Sequence, residues 1–180
     1  MNRTRNLIIT ALFAAMTAVG AFLRIPTPVS SFTLQTFFTA MAGVLLGTKR
    51  GAASQLIYVL LGLVGLPVFI HGGGPGALLE PTGGFLLGMV AMAWVTGRMV
   101  EKRGSGFGTI CMACCAGMLA MYVIGLPYMH LILTAYLHQD WTVGQTLFSG
   151  MVLFLPWDGI KILLTAALCT RIRPVLSHLL

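Results

Sequence analysis

Long apolar runs separated by short polar breaks divide the chain into six segments, approximately residues 7–23, 31–48, 51–70, 82–97, 107–136 and 147–170. An α-helix needs about 20 predominantly apolar residues to cross the hydrocarbon core of a bilayer. The pattern therefore predicts an all-α integral membrane protein of six transmembrane helices, with residues 1–180 as one domain. Residues 34–66 also read as one broken hydrophobic block, but Lys49-Arg50 divides it into two helices joined by a turn at Gly47–Gly51. The first run follows Arg3 and Arg5 without a convincing small-residue cleavage site, so it is expected to be a retained first helix rather than a signal peptide. No linker, low-complexity tract or internal repeat interrupts the six segments.

Composition agrees with this reading and excludes a water-soluble globule. Charged residues make up 8% of the chain and hydrophobic residues 57%, with a mean hydropathy of +0.91; a soluble domain carries about 25% charged residues. A net charge of +7 would suit nucleic acid, but the positions of the charges speak against it. Nine of the eleven Lys and Arg fall at the N-terminus, at 49–50, at 98–103 and at 171–173, which are alternate breaks and the C-terminus. That alternation follows the positive-inside rule and places both termini in the cytoplasm. Glu101, beside Lys102 and Arg103, reads as a solvated surface charge.

The charges that break this scheme, Arg24, Glu80, Asp140, Asp158 and Lys161, all map to the outer half. Three outer segments look like one composite site. The first is Arg24-Ile-Pro-Thr-Pro followed by Val29-Ser-Ser-Phe-Thr-Leu-Gln-Thr36. Its prolines stop the first helix; Ser31, Thr33, Gln35 and Thr36 offer polar groups that either cap the second helix or meet a ligand. The second is His71-Gly-Gly-Gly-Pro-Gly-Ala-Leu-Leu-Glu-Pro-Thr-Gly-Gly-Phe-Leu-Leu-Gly88. Irregular backbone at membrane depth must be buried in protein or line a cavity, and glycine lets backbone approach a ligand closely. Gly73, Gly74 and Thr82 are therefore candidate contacts, with the amides of Thr82-Gly-Gly open to a polar ligand group at a helix start. Glu80 reads equally well as a ligand contact or as a carboxylate favoured near a helix N-terminus. The GxxxxGK[ST] phosphate-binding pattern is absent.

The third segment is Leu155-Pro-Trp-Asp-Gly-Ile-Lys161. Pro156 suits a first helical turn, Asp158 lies where the helix dipole favours negative charge, and Lys161 is one turn further on the same face. A local capping ion pair would explain both residues. However, an ionisable group inside an apolar helix costs roughly 2.5–3.5 kcal/mol on insertion scales and usually faces a cavity. A polar ligand is thus expected there, with Trp157 and Phe85 either stacking on it or joining the outer aromatic belt. Cys111-x-x-Cys114, Cys115 and Cys169 have no second pair or His cluster nearby and read as small apolar residues rather than a metal site.

With these residues in place, the chain resembles the BioY family, the biotin-specific substrate-binding subunits (S-components) of energy-coupling factor (ECF) transporters. The resemblance rests on Phe32-Thr-Leu-Gln-Thr36, on Pro81-Thr-Gly-Gly-Phe85 with Gly88, on Tyr122-x-x-Gly125 with Tyr128, and on Pro156-x-Asp158-x-x-Lys161. It implies a six-helix bundle in a prokaryotic plasma membrane. Its pocket would be formed by helices 4 to 6 and the loops after helices 1 and 3, with Asp158 and Lys161 contacting the vitamin. Glu80 stands where an uncharged residue is expected, and Trp157 where glycine is common. Biotin suits the chemistry: its ureido ring donates and accepts hydrogen bonds, its body is apolar, and Lys161 or Arg24 can answer its carboxylate. No cofactor is expected. With no ATP-binding motif in the chain, the resemblance implies a transmembrane coupling protein and two cytoplasmic ATPases as partners. In the first helix, Ala11 with Ala15 and Ala14 with Ala18 form small-xxx-small pairs on overlapping faces. These are expected either to dock the coupling protein or to pack inside the bundle. The rival readings are an S-component for another vitamin-like molecule, an intramembrane enzyme using Asp158 and Glu80 as acid and base, and a purely structural membrane protein.

Overall fold

The structure, a computed structural model, describes residues 3–26 and 31–177. Helix α1 (Arg3–Phe22) leads into a short antiparallel ribbon of β1 (Arg24–Pro26) and β2 (Ser31–Thr33), and then into α2 (Gln35–Leu63). A 3-10 turn at Pro75–Leu79 precedes α3 (Gly83–Arg103), which is followed by α4 (Phe107–Leu131), the short α5 (Val143–Leu147) and α6 (Leu155–Ser177). Residues 132–136 and 148–152 continue α4 and α5 as π-helical turns. Among the described residues, four helical stretches are long and apolar enough to cross a membrane: Arg3–Phe22, Gly83–Arg103, Phe107–Tyr136 and Val143–Pro174.

The second and third apolar runs together form α2, and the break between them is sharper than expected. Instead of a turn over Gly47–Gly51, a single residue, Gly47, leaves helical geometry at φ 79° and ψ −174°. That conformation is strained for any side chain-bearing residue, and Lys49 and Arg50 are already helical again. Contacts across Gly47 pair residues counted inward from both ends. Gln35 Nε2 donates to the Tyr58 hydroxyl at 2.7 Å, Thr39 Oγ1 donates to Gln55 Oε1 at 3.0 Å, and a Cβ on Gly51 would sit 2.9 Å from the Ala42 carbonyl oxygen. The two arms of α2 therefore run antiparallel, packed closely through glycine.

Glu101 corrects the sequence reading. Rather than a mere solvated charge, its carboxylate accepts from the Thr48 amide at 2.8 Å and from the Thr48 hydroxyl at 2.5 Å, clamping the Gly47 bend to α3. Gly97 makes room for this contact, since a Cβ there would lie 2.6 Å from the Gly47 carbonyl carbon. The core runs from Phe13 and Ala14 of α1 through Val44, Tyr58 and Val59 of α2, Met89 and Met92 of α3, and Ile110 and Met118 of α4 to Ala166 of α6. Cys114 and Cys169 are buried in the same core as small apolar residues. Leucine, isoleucine and valine side chains along α1, α4 and α6 face outward, the arrangement of helices whose solvent is lipid.

The small residues of α1 divide between two environments. Ala14 is buried in the core and Ala18 packs against it, whereas Ala11 and Ala15 are exposed. The two pairs therefore divide between the two expected environments: at about 100° per residue, Ala14 and Ala18 turn toward the bundle and Ala11 and Ala15 away from it.

Candidate functional site

Helix α6 opens at Leu155, with Pro156 and Asp158 in its first turn. The i, i+3 spacing sets Lys161 above Asp158, and the ammonium donates to Asp158 Oδ1 at 2.8 Å with both side chains about 5% exposed or less. Lys161 Nζ also donates to Thr36 Oγ1 on α2 at 2.7 Å. The other carboxylate oxygen, Oδ2, accepts from the Tyr122 hydroxyl of α4. Three helices thus meet at one buried ion pair. Its hydrogen-bonding capacity is not exhausted, because a carboxylate has about four acceptor positions and an ammonium three donors. One N–H of Lys161 and acceptor positions on Asp158 remain for a ligand that offers both an acceptor and a donor.

This cluster forms part of the wall of a cavity that opens to the outside, with about 770 Å³ of space when its mouth and the adjoining open solvent are included. Phe69, Ala77, Phe85, Leu86, Met89, Met121 and Phe154 supply an apolar lining, while Thr33, Gln35, Thr36, Glu80, Thr82, Tyr122, Asp158 and Lys161 supply polar groups. Phe85 stands edge-on to Tyr122 with ring centroids 6.2 Å apart. A second polar network braces the wall. Thr33 Oγ1 donates to Gln35 Oε1 at 3.1 Å, Gln35 Nε2 donates to Tyr58 Oη at 2.7 Å, and the Tyr58 hydroxyl donates to the Val68 carbonyl at 3.1 Å. It ties the β2–α2 junction to the segment after α2, where Phe69 packs over Gly62 and against the Tyr58 ring at 5.4 Å.

The sequence profile of the BioY family matches residues 1–178. The chain belongs to the BioY family. It is 38% identical over 173 residues to a probable biotin transporter BioY of Lysinibacillus sphaericus, covering 96% of this chain and 88% of that protein. It is 36% identical over 170 residues to the biotin transporter BioY of Thermotoga maritima, covering 94% and 96%. The crystal structure of the S-component for biotin from an ECF-type ABC transporter superposes with a TM-score of 0.83 at 26% identity, covering 97% of this chain and 95% of that one.

In this BioY-family chain, Gln35, Thr36, Glu80, Thr82, Tyr122, Asp158 and Lys161 come together on one cavity, and four other candidates stand outside its lining. Gly73 is pressed against the Leu66 carbonyl, and Gly74, at φ 111°, donates its amide to the Gly62 carbonyl at 2.7 Å; both shape the loop rather than face the cavity. Arg24 is exposed and its Nη1 donates to the Ile70 carbonyl at 2.5 Å, at the cavity's edge. Trp157 packs edge-on to Phe32 at 6.4 Å. Of the amides at Thr82-Gly-Gly, that of Gly83 is spent locally, on the Glu80 carbonyl at 2.9 Å, while the next amide along, that of Phe85, donates to the Thr82 carbonyl at 3.0 Å. Gly84 instead admits Tyr128 of α4, whose hydroxyl donates to the Leu78 carbonyl at 2.6 Å and pins the 3-10 turn beside the cavity.

Sequence reasoning missed Tyr58 and Phe154. Tyr58 had a signal, a phenol inside an apolar run whose hydroxyl needs a partner when buried. Phe154, just before the Pro-x-Asp-x-x-Lys element, lines the cavity and packs against Phe32 in a tilted arrangement, ring centroids 4.6 Å apart.

Proposed function

We propose that this chain is the membrane-embedded, biotin-binding S-component of an ECF-type importer of the prokaryotic plasma membrane, and not an enzyme. The observation that carries the reading is the buried Asp158–Lys161 pair on a largely apolar cavity. Asp158 accepts from the ureido N–H groups, Lys161 donates to the ureido oxygen, and Phe69, Phe85, Met89 and Met121 enclose the apolar body. Burying the ligand's apolar surface contributes roughly 25 cal/mol per Å², and the ion pair fixes its orientation. Biotin is the transported ligand and no cofactor is required.

Counting the arms of α2 separately, α1, α3, α4 and α6 complete six membrane-spanning helices. The basic residues at 3–5, 49–50, 98–103 and 171–173 then lie on one side, which supports cytoplasmic termini. Energy comes from partners: a transmembrane coupling protein and two ATPases, engaged through the exposed Ala11–Ala15 face of α1. Mass spectrometry of small molecules retained by the protein purified from cells tests the assignment. Biotin or a close relative at near-equimolar amount is the expected result, and a vitamin without a urea-like ring overturns it.

A further inference from the structure

The charges on the cavity wall are unequal. Three charged side chains line it: Asp158, Lys161 and Glu80. Asp158 and Lys161 neutralise one another at 2.8 Å. Glu80 is half-buried and, among the described residues, has neither an ion-pair partner nor a side-chain hydrogen bond. It follows the 3-10 turn in extended backbone at φ −82° and ψ 150°, three residues before the first residue of α3. The dipole of α3 tolerates its charge but cancels only part of it. Arg24 offers little relief, because its guanidinium is exposed, lies outside the lining and is engaged with the Ile70 carbonyl. A ligand therefore enters a cavity of net negative charge.

With its urea-like ring on Asp158 and Lys161, a ligand has only Glu80 as a charged neighbour for its tail along the rest of the lining. We propose that Glu80 is a charge filter on that tail. The cavity prefers ligands carrying the biotin ring system with a neutral or cationic tail, the amide-linked forms, over the free carboxylate. This rests on the biotin reading above and adds to it the ligand class that the pocket selects.

The test is calorimetric titration of the full-length protein in detergent with biotin, biotinamide and the biotin amide of 1,2-diaminoethane, whose tail is cationic. One incompletely screened charge in a partly buried site is expected to favour the amides over biotin by about tenfold. Raising the salt concentration narrows that ratio. Glu80→Gln brings the ratio of amide to acid affinity close to one, and Glu80→Lys inverts it. Equal ratios in the wild type and Glu80→Gln overturn the filter while leaving the biotin reading standing. If none of the three ligands binds any of the proteins, the biotin reading falls and the filter with it.

Discussion

Replacing Asp158 by Asn removes one charge from the centre of the site while preserving its shape. In the native protein the carboxylate accepts from Lys161 at 2.8 Å and from Tyr122, and Lys161 has Thr36 at 2.7 Å as its other partner. Removing one member of a buried pair typically costs about 3–5 kcal/mol, because the other charge stays desolvated. The amide oxygen of Asn retains a weaker acceptor, so we expect a loss of about 3 kcal/mol in stability, at the lower end of that range. Ligand affinity falls separately. A charge-assisted hydrogen bond is worth about 1.5–3 kcal/mol, so the dissociation constant for biotin rises at least tenfold. Thermal unfolding in detergent reads the first effect, and calorimetry at a temperature where the variant is folded reads the second. Lys161→Met should behave alike in binding. The double variant should lose less stability than the two single losses summed, since no orphaned charge remains. Wild-type affinity in both single variants would refute the assignment of the site, and strict additivity would refute the energetic coupling of the pair.

Other perturbations test other parts of the structure. Gly84→Leu drives a side chain into Tyr128, and overpacking of this kind costs about 1–3 kcal/mol; a melting temperature equal to the wild type's would contradict the packing. Glu101→Gln weakens both contacts to Thr48, and at this exposed position a loss of about 1 kcal/mol is expected, visible as a lower melting temperature with unchanged biotin affinity. Ala14→Trp, inside the core, should destabilise the bundle. Ala15→Trp, on the exposed face, should leave stability and affinity intact yet prevent co-purification with the coupling protein. Identical behaviour of the two alanine variants would remove the distinction between the inner and outer faces of α1.

The element that sequence exposed best was Pro156-x-Asp158-x-x-Lys161, because the i, i+3 rule joins two charges on one helix without any knowledge of the fold. Its partners were harder to pair with it. Thr36 lies 125 residues from Lys161 and Tyr122 36 residues from Asp158, and no local periodicity reports such separations. Of the candidates in the glycine loop, Glu80 and Thr82 line the cavity, whereas Gly73 and Gly74 do not. Glycine marks special backbone or close approach, yet it does not say which way the chain faces: Gly74 serves a positive φ and Gly84 admits a tyrosine, and neither lines the cavity. The ribbon of β1 and β2 left no legible trace, because three residues per strand are too few for an alternating pattern. The two alanine pairs of α1 shared one spacing, and only the tertiary structure separates the buried from the exposed. The hairpin of α2 was readable from Lys49-Arg50, whereas its bend at the single residue Gly47 was not.

The central claim, that the cavity beneath the Pro81-Thr-Gly-Gly-Phe85 segment is a biotin site built on Asp158 and Lys161, is met most directly by titrating biotin into the purified full-length protein in a calorimeter. The account predicts saturable binding of one biotin per chain, weakened at least tenfold by Asp158→Asn. An absence of saturable heat with the folded wild-type protein, or binding indifferent to Asp158→Asn, would contradict it.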